Sequence, residues 1–371
     1  VTVSKMMEIK ELSSGEESLW DEYVMSHPDA SPYHLSAWGK SVKQAYGHDT
    51  KYLVAREKGS ENGSGKIVGV MPTIKMNIPF KGASLCSLPF CDIGMGLGDS
   101  DATETELVRH LQSEFATNGV KGIEVRYSTK NSLSPEGSSG EEEGVEKGQD
   151  AGKVSMVLDL PETPEELWKG FKSKLRSQIR KAEKNGLTHE IGNNSRLVEE
   201  FYQVFTRNMR DLGSPVHGKA WFEALSRNYG DNMVISIVRK DEIPVGGGIV
   251  LYCGTKAAIP WASTVAEYNR LAPNMMLYWS LLEETCRRGC TVFDFGRSTY
   301  GEGTYKFKSQ WGARPFALEW RQYDRNGIKP EVEQSNQGAS KIRPVIEAFW
   351  RKLPLSLSVM LGPRLRRYIS L

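Results

Sequence analysis

Apolar residues recur along this chain with two periods, and the switches between them mark out the elements. Helical spacing predicts helices over Glu16–Met25 and His34–Tyr46, the second carrying Leu35, Trp38, Val42 and Tyr46 on one stripe. Alternation predicts strands over Tyr52–Ala55 and Ile67–Ile74, joined by the polar, glycine-rich turn Lys58–Lys66. A strand over Ser84–Phe90 follows. Thr103 and Glu106 then form a capping box for a helix through Leu107, Leu111 and Phe115, and Gly122–Tyr127 reads as the next strand. The stretch 131–153 is built mainly of Ser, Gly, Glu and Lys and reads as a solvated, mobile acidic loop. Val154–Leu160 returns as a strand, and Thr163-Pro164-Glu165-Glu166 opens a helix with proline at its first position.

The second half repeats this order. Ala37-Trp38 and Tyr46-Gly47 recur as Ala220-Trp221 and Tyr229-Gly230, 183 residues on in both cases. Strands over Val234–Val238 and Val245–Tyr252 follow, and a helix ending at Arg288-Gly289 leads into a strand closing in Ser298-Thr299. Ser128-Thr129 holds that place in the first half, 170 residues earlier. A period this long indicates a duplicated domain, because solenoid repeats run to about 20–50 residues. The predicted organisation is a first domain over 1–160, a second over 161–330 and a tail over 331–371. Each domain is a mixed α/β sheet carrying helices. The run Thr291–Trp311 reads as a buried strand, Val292–Phe295, then a glycine loop, then a second strand over Tyr305–Lys308 that sets Lys306 and Lys308 on one face.

Composition narrows the function less than the pattern does. Over 371 residues the net charge is +2, with 39% hydrophobic and 25% charged residues, which describes a globular chain without the excess of cations that general nucleic-acid binding needs. The five cysteines, Cys86, Cys91, Cys253, Cys286 and Cys290, make no CxxC pair and read as buried free thiols, with no metal site. No signal-peptide pattern opens the chain and no apolar run approaches the roughly 20 residues of a membrane span, so a reducing cytoplasm is expected. Charge is concentrated in two places: the Lys172–Lys184 helix with its six cations, and the alternately basic and apolar tail 341–371. The first suits a solvated face, a tRNA acceptor stem or an anionic glycan. The second suits packing on the second domain or peripheral contact with an anionic membrane surface.

The duplicated order is similar to two tandem GNAT acyltransferase folds, and the motifs resemble the Fem family of aminoacyltransferases. Leu175-Arg176-Ser177-Gln178-Ile179-Arg180-Lys181-Ala182-Glu183-Lys184-Asn185-Gly186 resembles the family's basic RRxIRKAEKxG helix. Gly303-Thr304-Tyr305-Lys306-Phe307-Lys308-Ser309-Gln310-Trp311-Gly312 resembles its GLYxFKxxFG segment. Asn208–Pro215 and Asp294–Ser298 look closest to the FemAB-like subgroup associated with exopolysaccharide and exosortase systems. The resemblance implies acyl or aminoacyl transfer to an amine or hydroxyl of an envelope or exopolysaccharide precursor. It also implies acyl-CoA or aminoacyl-tRNA as co-substrate, a small-molecule or glycan- or lipid-linked acceptor, and a cytoplasmic location, peripheral to the inner face of the membrane if the tail binds there. Where CoA-dependent GNAT enzymes carry a glycine loop, this chain reads Val265–Asn274 with no glycine, though Pro273 and Asn274 can still open a helix towards an anion.

Candidate residues follow from both lines. The resemblance places Lys308 in the acceptor channel, where a cation holds diphosphate or offsets charge on an acyl oxygen. Lys306, Tyr305 and Arg297 flank it, and Arg297 can equally pair with Asp294 or Glu302. Trp261 and Ser263 lie on the acyl-donor strand, whose backbone can offer an oxyanion donor, and Asn274 opens the helix beyond. Asn208, Arg210, Asp211 and His217 cluster around a turn, with His217 the candidate base. In the first half His34, Trp38 and Asp92 form the expected acceptor wall, beside the Gly94, Gly96, Gly98 loop. A catalytically inactive module that binds anionic glycan or nucleotide-sugar is the alternative function.

Overall fold

The computed structural model describes residues 7–58, 65–79, 82–117, 119–129, 152–329 and 343–370. The first half runs β1 (Met7–Glu11), α1 (Glu17–Ser26), α2 (Ser36–Tyr46), β2 (Asp49–Thr50), β3 (Leu53–Glu57) and β4 (Ile67–Met71). It continues with β5 (Ile74–Ile78), β6 (Gly82–Cys86), β7 (Leu97–Gly98), α3 (Asp101–Thr117) and β8 (Gly122–Ser128). Then come β9 (Lys153–Asp159), α4 (Pro164–Gly170), α5 (Ser173–Lys184), β10 (Leu187–Gly192), α6 (Ser195–Leu212) and α7 (Lys219–Tyr229). They are followed by β11 (Met233–Lys240), β12 (Ile243–Cys253), β13 (Lys256–Thr264), α8 (Pro273–Arg287) and β14 (Val292–Thr299). The chain ends in α9 (Gly303–Ser309), β15 (Arg314–Asp324), β16 (Gly327–Ile328) and two tail helices, α10 (Arg343–Arg351) and α11 (Leu355–Arg366).

Three expectations change in detail. The strand over Ile67–Ile74 breaks at Met71 because Pro72 cannot donate to a ladder, so β4 and β5 enter different sheets. The helix read from Thr103 starts two residues earlier, and Ser100 Oγ accepts the Thr103 amide at 3.3 Å. Most of the acidic loop 131–153 lies outside the described residues, but its last residue, Lys153, already pairs with Thr299 as the start of β9.

A small sheet, β1-β3-β4-β7, sits beside a long one ordered β10-β11-β12-β13-β14-β9-β15-β8-β6-β5-β2, with β16 on β15. The duplication is visible as two parallel pairs in otherwise antiparallel surroundings: β6 beside β8 and β13 beside β14, each closed by a crossover helix, α3 or α8. The halves are stitched together by β9, which lies within the first 160 residues yet pairs with β14, and by β15, which pairs with β9 at one end and β8 at the other.

The repeated dipeptides explain how the halves meet. Both Tyr-Gly pairs end a helix, with Gly47 and Gly230 at φ +69° and +54°, where a side chain is strained. Helices α2 and α7 pack on each other, and the two repeated tryptophans, both 0% exposed, meet edge to face at 5.1 Å. Asn228 of α7 donates to Ser41 and Gln44 of α2 at 3.0 and 3.1 Å. The tail helices lie on α6, and the chain end crosses to the first half, where His48 bonds the Arg367 carbonyl at 2.7 Å. All five cysteines are free and buried.

Candidate active site

The cleft begins where two parallel strands part. Strands β13 and β14 pair only over Lys256–Ala258 with Val292–Asp294. Beyond that β13 continues on β12 and β14 on β9, the latter with a register shift between Asp294 and Arg297. The local sequence dictates the shift. Gly296 takes φ +72°, and Asp294 Oδ1 accepts both the Gly296 amide at 2.8 Å and the Ser155 hydroxyl at 2.5 Å. A Cβ on Gly296 would stand 3.6 Å from the Ile259 carbonyl and 3.8 Å from Asp92 Oδ2, so Asp92 of the first half reaches into the opening. Its Oδ2 accepts the Arg297 amide at 3.3 Å, and its Oδ1 is 3.5 Å from Arg297 Nε.

Tyr305–Lys308 is helix, not strand. The Lys306 amide donates to the Glu302 carbonyl at 2.9 Å, and the four-residue alternation is too short to separate the two periods. Two helical positions differ by about 200°, so Lys306 and Lys308 do not share a face. Lys306 is exposed, whereas Lys308 is 7% exposed and its Nζ donates to the Gly296 and Arg297 carbonyls at 2.8 and 2.9 Å. The lysine therefore ties α9 to the backbone of the bulge.

Burial drives the electrostatics. It lowers the Lys308 amine to about 8 despite the opposing charges of Asp294 and Asp92, and it raises the Asp294 carboxyl above its ordinary range despite hydrogen bonds from Ser155 and Gly296. Because the Lys308 amine is depressed on folding, the unfolded chain holds more protons from about pH 8 to its ordinary value near 10.5, and stability rises with pH across that window. Against Lys308→Met, which cannot titrate, wild type is expected to gain about 1–2 kcal/mol between pH 8 and 9.5 in urea unfolding.

The other predicted residues fall into two groups. Around the cleft, Asn208 Nδ2 donates to Ser263 Oγ at 3.1 Å, joining α6 to β13, and half-buried Asn274 stands in the first turn of α8. Tyr305 packs against Tyr300 at 4.7 Å. Arg210 and Asp211 form a local ion pair at 2.6 Å on the outer end of α6. Between the halves lie Trp38, His217 and His34, all buried, and the partly buried Trp261. Trp38 stacks on Trp261 at 6.0 Å and donates to the Pro89 carbonyl, so it is core rather than an open wall. His34 is fully buried, pushed down to about 4 by desolvation, and bonded to Ser31 and the Met95 carbonyl, which likewise keeps it from any acceptor. His217 has both ring nitrogens engaged: Tyr46 Oη at 2.5 Å on Nδ1, and Arg366 Nε donating to Nε2 at 3.0 Å. A neutral imidazole whose one lone pair already faces a guanidinium is poorly placed to take a proton, and burial holds it well below its ordinary value.

Sequence reasoning missed Ser155, Trp320 and Arg366. Trp320 on β15 donates to the Asp92 carbonyl at 3.1 Å and lies under the Arg126 and Arg297 guanidinium groups at 4.5 and 5.3 Å, fixing the first-half side of the cleft. No local signal marks it, because its role depends on β15 crossing between the halves.

The loop between β13 and α8 closes on Ala272, at φ +64°, and Pro273, which start α8. Asn185 at the end of α5 donates to the Leu271 carbonyl at 3.1 Å, so the basic helix abuts this loop. Leu175, Ile179 and Ala182 face inward, leaving Lys172, Lys174, Arg180, Lys181 and Lys184 exposed.

Comparison with known proteins fits this geometry. No curated protein matches the chain in sequence. Among solved structures, FemX superposes with a TM-score of 0.63 at 14% identity, covering 89% of this chain and 99% of FemX. The C-terminal domain of a putative lysylphosphatidylglycerol synthetase from Agrobacterium fabrum gives 0.52 at 12% identity, covering 88% and 95%. A tandem GNAT protein from the clavulanic acid biosynthesis pathway gives 0.52 at 12% identity, covering 86% and 98%. These likenesses establish the fold. Residues 169–309, from the end of α4 through α9, match the acetyltransferase (GNAT) domain family. The β13–β14 opening lies within the stretch that matches the acetyltransferase (GNAT) domain, in a tandem GNAT-like fold that runs on into a helical C-terminal segment.

Proposed function

We propose that the protein transfers an acyl or aminoacyl group to an amine or hydroxyl of a cell-envelope or exopolysaccharide precursor, in the cytoplasm. The observation that carries this is the parting of β13 and β14 over a bulge held by Lys308, inside the matched domain. The donor carbonyl would enter between the strands, where a backbone amide of β13 would offset the charge of the tetrahedral intermediate. The acceptor's nitrogen or oxygen attacks that carbonyl, the bond to the CoA sulfur or tRNA ribose oxygen breaks, and the acceptor's proton passes to the leaving atom directly or through Asp92. Lys308 keeps the bulge in place and adds positive potential beside the reacting carbonyl, while Arg297 orients the acceptor.

Two features bear on the donor. The exposed cations of α5 beside the α8 loop suit the phosphates of an aminoacyl-tRNA or of CoA. The loop without glycine favours aminoacyl-tRNA over CoA, since no run of small residues brings backbone amides close to a pyrophosphate. The same loop also sustains a second reading, a binding module for anionic glycan or nucleotide-sugar with no donor. Titration with aminoacyl-tRNA, acyl-CoA and sugar nucleotides separates the two. Saturable binding of one of the first two, weakened by replacing Lys181 and Lys184 with Glu, is expected, and binding of sugar nucleotides alone would establish the module.

A further inference from the structure

The tail is packed inside out. Helix α11 sets its small residues Ser358 and Gly362 inward, and a Cβ on Gly362 would stand 2.8 Å from Val216. Leu357, Met360, Leu361 and Leu365 point outward instead, on one stripe at helical spacing. Helix α10 does the same: Trp350 is buried, while Val345, Ile346 and Phe349 are 67%, 52% and 64% exposed. Leu212, at the adjoining end of α6, extends the apolar surface, and Arg351 donates to its carbonyl. Of thirteen large hydrophobic side chains exposed among the described residues, eight lie within 345–369, so the patch is local and not a general looseness of the surface.

Charge selects the occupant. Residues 343–370 carry six cations, Arg343, Arg351, Lys352, Arg364, Arg366 and Arg367, against the single acid Glu347. Arg351, Lys352 and Arg364 are exposed beside the apolar stripes. An apolar face flanked by cations is what an amphipathic helix presents to an anionic bilayer, where Leu and Phe enter the acyl boundary and Arg and Lys meet the headgroups. No helix among the described residues is long and apolar enough to cross a membrane, so this contact is interfacial. We propose that α10 and α11 dock the protein on an anionic lipid surface. This proposal is independent of acyl transfer, because vesicle binding needs neither donor nor acceptor.

The test is sedimentation of the full chain with phosphatidylcholine vesicles, with and without phosphatidylglycerol, over a range of salt. Co-sedimentation with the anionic vesicles, at least tenfold stronger than with phosphatidylcholine alone and falling as salt rises, is expected. Phe349→Glu with Leu365→Glu should reduce it at least tenfold while leaving the unfolding temperature unchanged, since both side chains are solvent-facing. Absence of binding to either vesicle would overturn the proposal. So would a concentration-dependent dimer in sedimentation velocity that the same substitutions abolish, which would make the occupant a second copy.

Discussion

Lys308→Met is expected to lower kcat/KM for acyl transfer by about 10²–10³-fold while the protein stays folded. The methionine fills the same space, but the Gly296 and Arg297 carbonyls lose the donor that reaches them at 2.8 and 2.9 Å. Losing the donor that two carbonyls of the bulge share costs about 1–3 kcal/mol, enough to let it relax but small beside the core around Phe293, Phe295 and Trp311. The effect on rate exceeds the effect on stability because the bulge sets where β13 and β14 part. Steady-state kinetics with circular dichroism on the same sample reads both. A loss of activity matched by loss of fold would make the lysine merely structural.

Trp221→Ala is expected to destabilise the protein by about 3–5 kcal/mol. The ring is 0% exposed and meets Trp38, Tyr46, Phe90, His217 and Trp261 within 6.1 Å, so truncation opens a cavity where the two halves join. Its indole nitrogen has no hydrogen-bond partner among the described residues, so no polar network compensates and packing carries the effect. Urea unfolding checks the magnitude. If the halves were separately stable, a second transition would appear while the first kept its midpoint, and the two halves would not share one core.

Much of the architecture was legible because the duplication left marks that chemistry preserves. A glycine must follow the tyrosine that ends α2 and α7 since both chains turn there with positive φ, and the two tryptophans recur because each fills the other's side of one interface. What could not be read was long-range. Strand β15 comes late in the second half yet pairs with β8 of the first, and only that crossing brings Trp320 beneath Arg126 and Arg297. Lys308 and Asp92 stand out by resemblance and by position near glycines, but what Lys308 touches is the Gly296 bulge, which a strand reading of Tyr305–Lys308 hides. His217 looked available because it follows a turn, and it is enclosed by Arg366, 149 residues later in the chain.

We place the chemistry at the β13–β14 opening. The most direct measurement is single-turnover transfer of a labelled acyl or aminoacyl group, from CoA and from tRNA in parallel, to an envelope-precursor extract. Wild type is expected to move label from one donor class to the acceptor, and Lys308→Met to do so at least a hundredfold more slowly with donor binding retained. Label that stays on both donors while sugar nucleotides bind, or transfer unaffected by Lys308→Met, would contradict it.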